Sequence, residues 1–182
     1  MQTKIDIKST TYIYMVLLVF LVPLKWLLAW LFAAGFHEVC HWLAVKLCDG
    51  EIYSITVGIG GAKMECSSMK KTKRLFAVLS GPVGGLLLLA FARWFPRIAL
   101  CSWLLSMYNL LPLLPLDGGT ALEILLGTKI YILQKIFLIL LSVIAMYVSV
   151  VLHFGLLPIV ILAVLWMKSR NFPCKPGACK VQ

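Results

Sequence analysis

Residues Phe36-His37-Glu38-Val39-Cys40-His41-Trp42 set two imidazoles and a carboxyl into an otherwise apolar run. In a helix, His37 and His41 lie one turn apart and project from the same face. At that spacing two ring nitrogens can share one zinc ion, with Glu38 beside them as general base. On a soluble surface helix such a pattern recurs by chance. Inside a membrane span each ionisable group costs about 2.5–3.5 kcal/mol on insertion scales, so three of them together require an offsetting function. A bound metal is one, and a proton relay is another. Cys40 falls between the histidines on a different face and is not counted as a ligand.

The second polar constellation is Asn109-Leu-Leu-Pro112-Leu-Leu-Pro115-Leu-Asp117-Gly118-Gly119. Two prolines so spaced cannot continue a regular helix, and the glycine pair permits tight turning just after the acid. Unwound backbone at membrane depth is tolerated only where protein buries it or where it lines a wet cavity. The break therefore presents Asp117 sideways toward a site, with Pro112, Pro115 and Gly118 shaping it; a plain helix-ending loop is the other reading. Asn109 either hydrogen-bonds an extended substrate or developing oxyanion, or caps the broken helix.

The elements that must carry these residues follow from composition. The chain has 182 residues, 62% hydrophobic and 13% charged, with a mean hydropathy of +0.97. A soluble domain has about 45–50% apolar and about 25% charged residues. Cytosolic enzymes, disordered chains and secreted disulfide modules are thereby excluded, leaving an all-α polytopic membrane protein. Spans are expected at Thr11–Leu24, Trp26–Leu47, Leu75–Phe95, Ile98–Leu114, Ile130–Leu152 and Gly155–Met167, about six if Pro23 and Lys25 divide the first run and five otherwise. The first apolar run lacks a small-residue cleavage site, so it is not read as a cleavable signal. Six spans leave only Lys25, Arg93 and Arg97 of the 17 basic residues on one face. The positive-inside rule then makes both termini cytoplasmic, with anionic lipid headgroups as partners of the basic residues. The net charge of +10 sits at span ends, which argues against nucleic acid. His153 reads as an interfacial residue, not a ligand.

The long polar connection Cys48–Lys73 is cytoplasmic in this scheme. Its β-branched stretch Glu51–Val57, the turn Gly58-Ile59-Gly60-Gly61 and Ala62–Cys66 read as a small membrane-associated β-hairpin. Its edge is either open to an extended peptide or simply part of a connector. The six cysteines give no disulfide framework in a reducing cytosol, and Cys174 with Cys179 in the tail make a weak metal site, better read as a frayed end.

Topology brings the two constellations together. Along the second span His41 lies about 12 Å from Asp49 and His37 about 18 Å, while the fourth span delivers Asp117 at its inner end. Two histidines and a carboxylate thus reach one cytoplasmic-side depth. Three protein ligands plus water is the open arrangement of a catalytic zinc. The metal brings the water pKa toward about 7, and Glu38 is placed to take its proton and pass it to a leaving amine.

Taken jointly, these motifs resemble the site-2 protease family of intramembrane zinc metalloproteases (an M50-type metalloendopeptidase of the EC 3.4.24 kind). The family pattern H-E-x-x-H followed by N-x-x-P-x-x-P-L-D-G is matched by His37, Glu38 and His41, then Asn109, Pro112, Pro115, Asp117 and Gly118. The resemblance implies one Zn2+ per chain on His37, His41 and Asp117, with Glu38 as catalytic acid/base. It also implies a membrane-tethered protein substrate, regulated intramembrane proteolysis and a regulatory membrane partner. Ser80-Gly81-Pro82-Val83-Gly84-Gly85 is similar to the family's S-G-P segment, whose small residues allow close helix packing. The position after the glycine pair, often basic in the family, is Thr120. The short chain and the lack of a PDZ insertion most resemble the bacterial sporulation branch, which processes a membrane-tethered pro-sigma factor. On this reading residues 1–170 are one membrane-embedded protease domain in a bacterial cell membrane, and residues 171–182 a cytoplasmic tail. Two rivals stand beside it: a CAAX-type prenyl protease with Glu123 as third ligand, and a non-proteolytic metal-binding transporter or chaperone that keeps the fold.

Overall fold

The computed structural model describes residues 4–7, 19–20, 22–58, 61–150 and 179–181. Most of the first expected span, all of the sixth, His153 and Cys174 lie outside the described residues.

Helix α1 (Leu24–Leu47) begins directly after Pro23, whose carbonyl accepts hydrogen bonds from the Trp26 and Leu27 amides at 2.9 and 3.1 Å. The helix therefore starts two residues before the expected Trp26. It ends in a Schellman motif. Asp49 adopts φ 59°, so the Asp49 amide returns to the Lys46 carbonyl and the Gly50 amide to the Val45 carbonyl. Apolar residues surround α1 on all sides, and residue size rather than hydrophobic periodicity distinguishes its faces. Ala29, Ala33, His37, His41 and Ala44, with Leu27 and Val45 near the two ends, form the buried stripe, whereas Trp30, Phe32, Val39, Trp42 and Leu43 face outward. Small and polar residues inside with large apolar ones outside is the pattern expected of a helix bundle surrounded by lipid.

Helix α2 (Lys71–Leu87) continues through a 3-10 turn, Leu88–Phe91, and α3 (Pro96–Asn109) returns along it. Gly81, Pro82, Gly84 and Gly85 are buried on α2, and the Ser102 hydroxyl of α3 donates to the Gly85 carbonyl at 2.8 Å. The expected fourth span, Ile98–Leu114, is corrected: regular helix stops at Asn109. Its 14 residues rise about 21 Å, less than the roughly 30 Å of a hydrocarbon core. The prolines are the reason, since Leu111–Leu116 forms irregular turns instead.

Helix α4 (Asp117–Leu126) restarts at the aspartate, ends at Gly127 (φ 58°) and leads through the 3-10 turn Gly127–Lys129 into α5 (Ile130–Val150). No helix was expected at α4, because Gly118-Gly119 reads as a turn. Those glycines instead permit close approach: a Cβ on Gly118 would collide with the Leu110 carbonyl, and one on Gly119 with Leu113. Among the described residues, three stretches are long and apolar enough to cross a membrane: Leu24–Leu47, Lys71–Phe91 and Asp117–Tyr147.

The expected hairpin is present as β2 (Ile52–Gly58) and β3 (Gly61–Cys66), but the all-α description with a lone hairpin is corrected by two further strands. Strand β1 (Lys4–Ile7) pairs parallel to β2, and β4 (Cys179–Val181) pairs antiparallel to β3. The sheet order is β1-β2-β3-β4, so the hairpin edges are covered over Ser54–Val57 by β1 and over Met64–Cys66 by β4. The tail is likewise not frayed at Cys179–Val181. Ile52, Met64 and Cys66 pack from the sheet onto Ala44 and Val45 of α1, Ala77 and Val78 of α2 and Ala121 of α4. This core locks the sheet to the α1–α2 end of the bundle.

Candidate metal centre

The inward stripe of α1 carries both imidazoles into the protein, and the restart of helix at α4 delivers the third group. His37 Nε2 lies 3.1 Å from Asp117 Oδ2, His41 Nε2 lies 3.2 Å from the same oxygen, and the two Nε2 atoms are 3.2 Å apart. All three residues are buried, at 3%, 0% and 1% exposure. Asp117 opens the first turn of α4, where the helix dipole favours its anion.

The donor chemistry of this triangle fits a metal ion. His41 Nδ1 faces the Ala77 carbonyl at 2.8 Å; as donor to it, the ring keeps its lone pair on Nε2, directed at the other two groups. A proton on His37 Nε2 would satisfy one of the three contacts, whereas a cation satisfies all of them. A tetrahedral zinc with bonds of about 2.0 Å separates its ligands by about 3.3 Å, close to the observed spacing. Asp117 Oδ1 is buried without a hydrogen-bond partner among the described residues, a polar cost that a cation held at the same carboxylate would offset.

Asn109, the last residue of α3, brings its side-chain amide to 3.4 Å from His37 Nε2. It thus borders the same centre. Glu38 follows His37 on α1 and is half-buried. Pro115 is buried, with a cis Leu114–Pro115 peptide, and Leu113 and Leu116 of the break pack on Leu138 of α5. Among the described residues, His37, His41 and Asp117 are the one group of metal-ligand side chains that converges; Glu123 is not part of it. Cys40 packs toward Gly84 instead.

Two supports went unrecognised in the sequence. The Ala77 carbonyl that orients His41 is backbone and carries no residue-type signal. Gly81 is needed less for helix packing in general than for the His41 ring, which occupies the space a Cβ would take. Ser102 and Ser106 are fully buried on α3, and hydroxyls within an apolar helix are themselves a sign of an interior face.

No protein-family model and no curated protein matches the sequence. Among solved structures, the site-2 protease from Methanocaldococcus jannaschii aligns with a TM-score of 0.61 at 19% identity, covering 95% of this chain and 93% of that one. The mixed sheet, the broken α3–α4 connection and three converging side chains able to hold a metal therefore sit on the fold of a site-2 protease.

Proposed function

We propose that this chain is an intramembrane zinc metalloprotease of the site-2 protease family that hydrolyses a peptide bond of a membrane-tethered protein. The observation that carries the reading is the buried His37–His41–Asp117 triangle with Glu38 at the next helical position. Two neutral imidazoles and one carboxylate suit zinc and leave an anionic pocket for a dication. When bound, zinc supplies a Lewis acid and an activated water at neutral pH.

The chain's own residues do the remaining work. The Ala77 carbonyl holds His41 in the ligating tautomer, and the first turn of α4 positions Asp117 beside both imidazoles. Glu38 accepts a proton from the attacking water and returns it to the leaving amine. The Asn109 amide, beside His37, hydrogen-bonds the substrate carbonyl as charge develops on it. Pairing of β1 and β4 with the loop between α1 and α2 gathers the two ends of the described chain at one end of the bundle. That grouping supports termini on one side of the membrane, and the basic residues there make that side cytoplasmic by the positive-inside rule, with anionic headgroups against them and a cut near that face. By its resemblance to the sporulation branch, a tethered transcription-factor precursor in a bacterial membrane is the proposed substrate class, with a membrane protein partner as regulator.

The test is Glu38→Gln in proteoliposomes with a membrane-tethered reporter. Zinc content should equal wild type while cleavage falls by about 10²–10⁴-fold. Cleavage at the wild-type rate would remove Glu38 from its role. Zinc flux across the vesicles with no proteolysis in wild type would replace the protease reading with a transporter.

A further inference from the structure

At the end of the bundle away from the sheet, the first half of α1, the start of α3 and the residues just before it border an open surface groove of about 540 Å³. Its walls are apolar: Leu28, Ala29 and Phe32 from α1 and Ile98 from α3. Lys25 and Arg97 stand at its rim, beside Trp94 and Phe95. Neither cation pairs with a carboxylate among the described residues. Neither helix carries an acid in its first turn or a side-chain cap. Among the described residues, two side-chain cations and the positive ends of two helices thus stand unopposed in one place, an arrangement that repels itself and attracts an anion. Trp26 and Trp94, both exposed, are the residue type that settles at headgroup level. The groove joins an anion-seeking rim to an apolar trough, in a volume typical of small-ligand sites.

We propose that this groove binds one anionic phospholipid, its phosphate between Lys25 and Arg97 at the start of α3 and an acyl chain along Leu28, Phe32 and Ile98. Charge complementarity selects the anionic headgroup, and the apolar trough selects a lipid over a free anion. The inference requires only that α1 and α3 lie in a bilayer and is independent of the chemistry at His37. Its structural consequence is that the lipid ties the first turn of α1 to the α2–α3 connection, roughly 18 Å along α1 from His37.

Native mass spectrometry of the full chain in detergent tests this, with phosphatidylglycerol, phosphatidylcholine of matched chains and inorganic phosphate as probes. Wild type should retain one phosphatidylglycerol. At about one factor of five for each basic residue, the Lys25→Gln/Arg97→Gln variant should bind it roughly 30-fold more weakly. Lys25→Arg should keep the affinity, and Arg93→Gln, outside the groove, should not change it; unaltered helical circular dichroism shows that each variant is folded. Equal retention by the double variant would overturn the proposal. So would equal binding of phosphatidylcholine, displacement of lipid by equimolar phosphate, or no retained lipid in wild type, the result expected if another part of the chain covers the groove.

Discussion

Replacing Gly81 with alanine adds one methyl group at the point where α2 touches His41, an imidazole of the proposed metal centre. The new Cβ would lie 2.6 Å from His41 Cε1, 2.7 Å from Cδ2 and nearer still to Nε2. Ordinary carbon contacts begin near 3.4 Å, so the ring must retreat by about 0.7 Å or more. Metal–ligand distances tolerate about 0.2 Å. Rotation of the ring cannot relieve the clash without breaking its hydrogen bond to the Ala77 carbonyl. The ligand triangle should therefore open, and misplacement on the order of 1 Å costs about 10²-fold in rate. The comparison is Gly84→Ala, also a helical glycine on α2, where the new Cβ meets the Cys40 side chain, which is no ligand. Both changes gain about 0.8–1.0 kcal/mol of helix propensity and both overpack a helix contact. Zinc content by plasma emission and cleavage of a tethered reporter in proteoliposomes are the measurements. Gly81→Ala should lose most bound metal and at least about 10²-fold in rate, with Gly84→Ala affected far less. Full zinc and full activity in Gly81→Ala would refute the idea that the α2 contact sets the position of His41.

Three further outcomes follow from the same geometry. Asp117→Asn removes the anionic member of the proposed ligand set, so zinc occupancy and turnover should fall together in dialysis against a chelator; unchanged affinity would place the third ligand elsewhere. Asn109→Ala should leave zinc bound while lowering kcat by about 10²-fold if the amide meets the oxyanion; loss of metal instead would make it a positioning residue for His37. Ser102→Ala deletes the hydrogen bond to the Gly85 carbonyl and should cost about 0.6 kcal/mol in a detergent unfolding titration, with no change in zinc content.

The chemistry was legible because membrane insertion filters residue types. A polar group in a span has to be offset by something, so His37, Glu38, His41 and Asp117 stood out against their neighbours. Pro23, Pro112 and Pro115 were equally readable, since proline removes a backbone donor wherever it stands. Those residues determined where α1 begins, that α3 breaks and that two imidazoles share a face. Other features depended on partners distant in the chain. The Lys4–Ile7 and Cys179–Val181 strands are too short to show a period of their own and exist as strands through pairing with the central hairpin. The helix at α4 looked like a glycine turn because the close passage of the Leu110 carbonyl, which excludes a Cβ at Gly118, is invisible in one dimension. The inward face of α1 was hidden for a related reason: when lipid is the solvent, apolar periodicity vanishes and only contact with α2 and α3 says which side is inside. The residue types thus determined by themselves which groups are able to hold a metal. Only the packing of α2 and the restart at α4 decided that three of them meet, because a distance of 3.1 Å between residues 80 positions apart is a property of the assembled bundle.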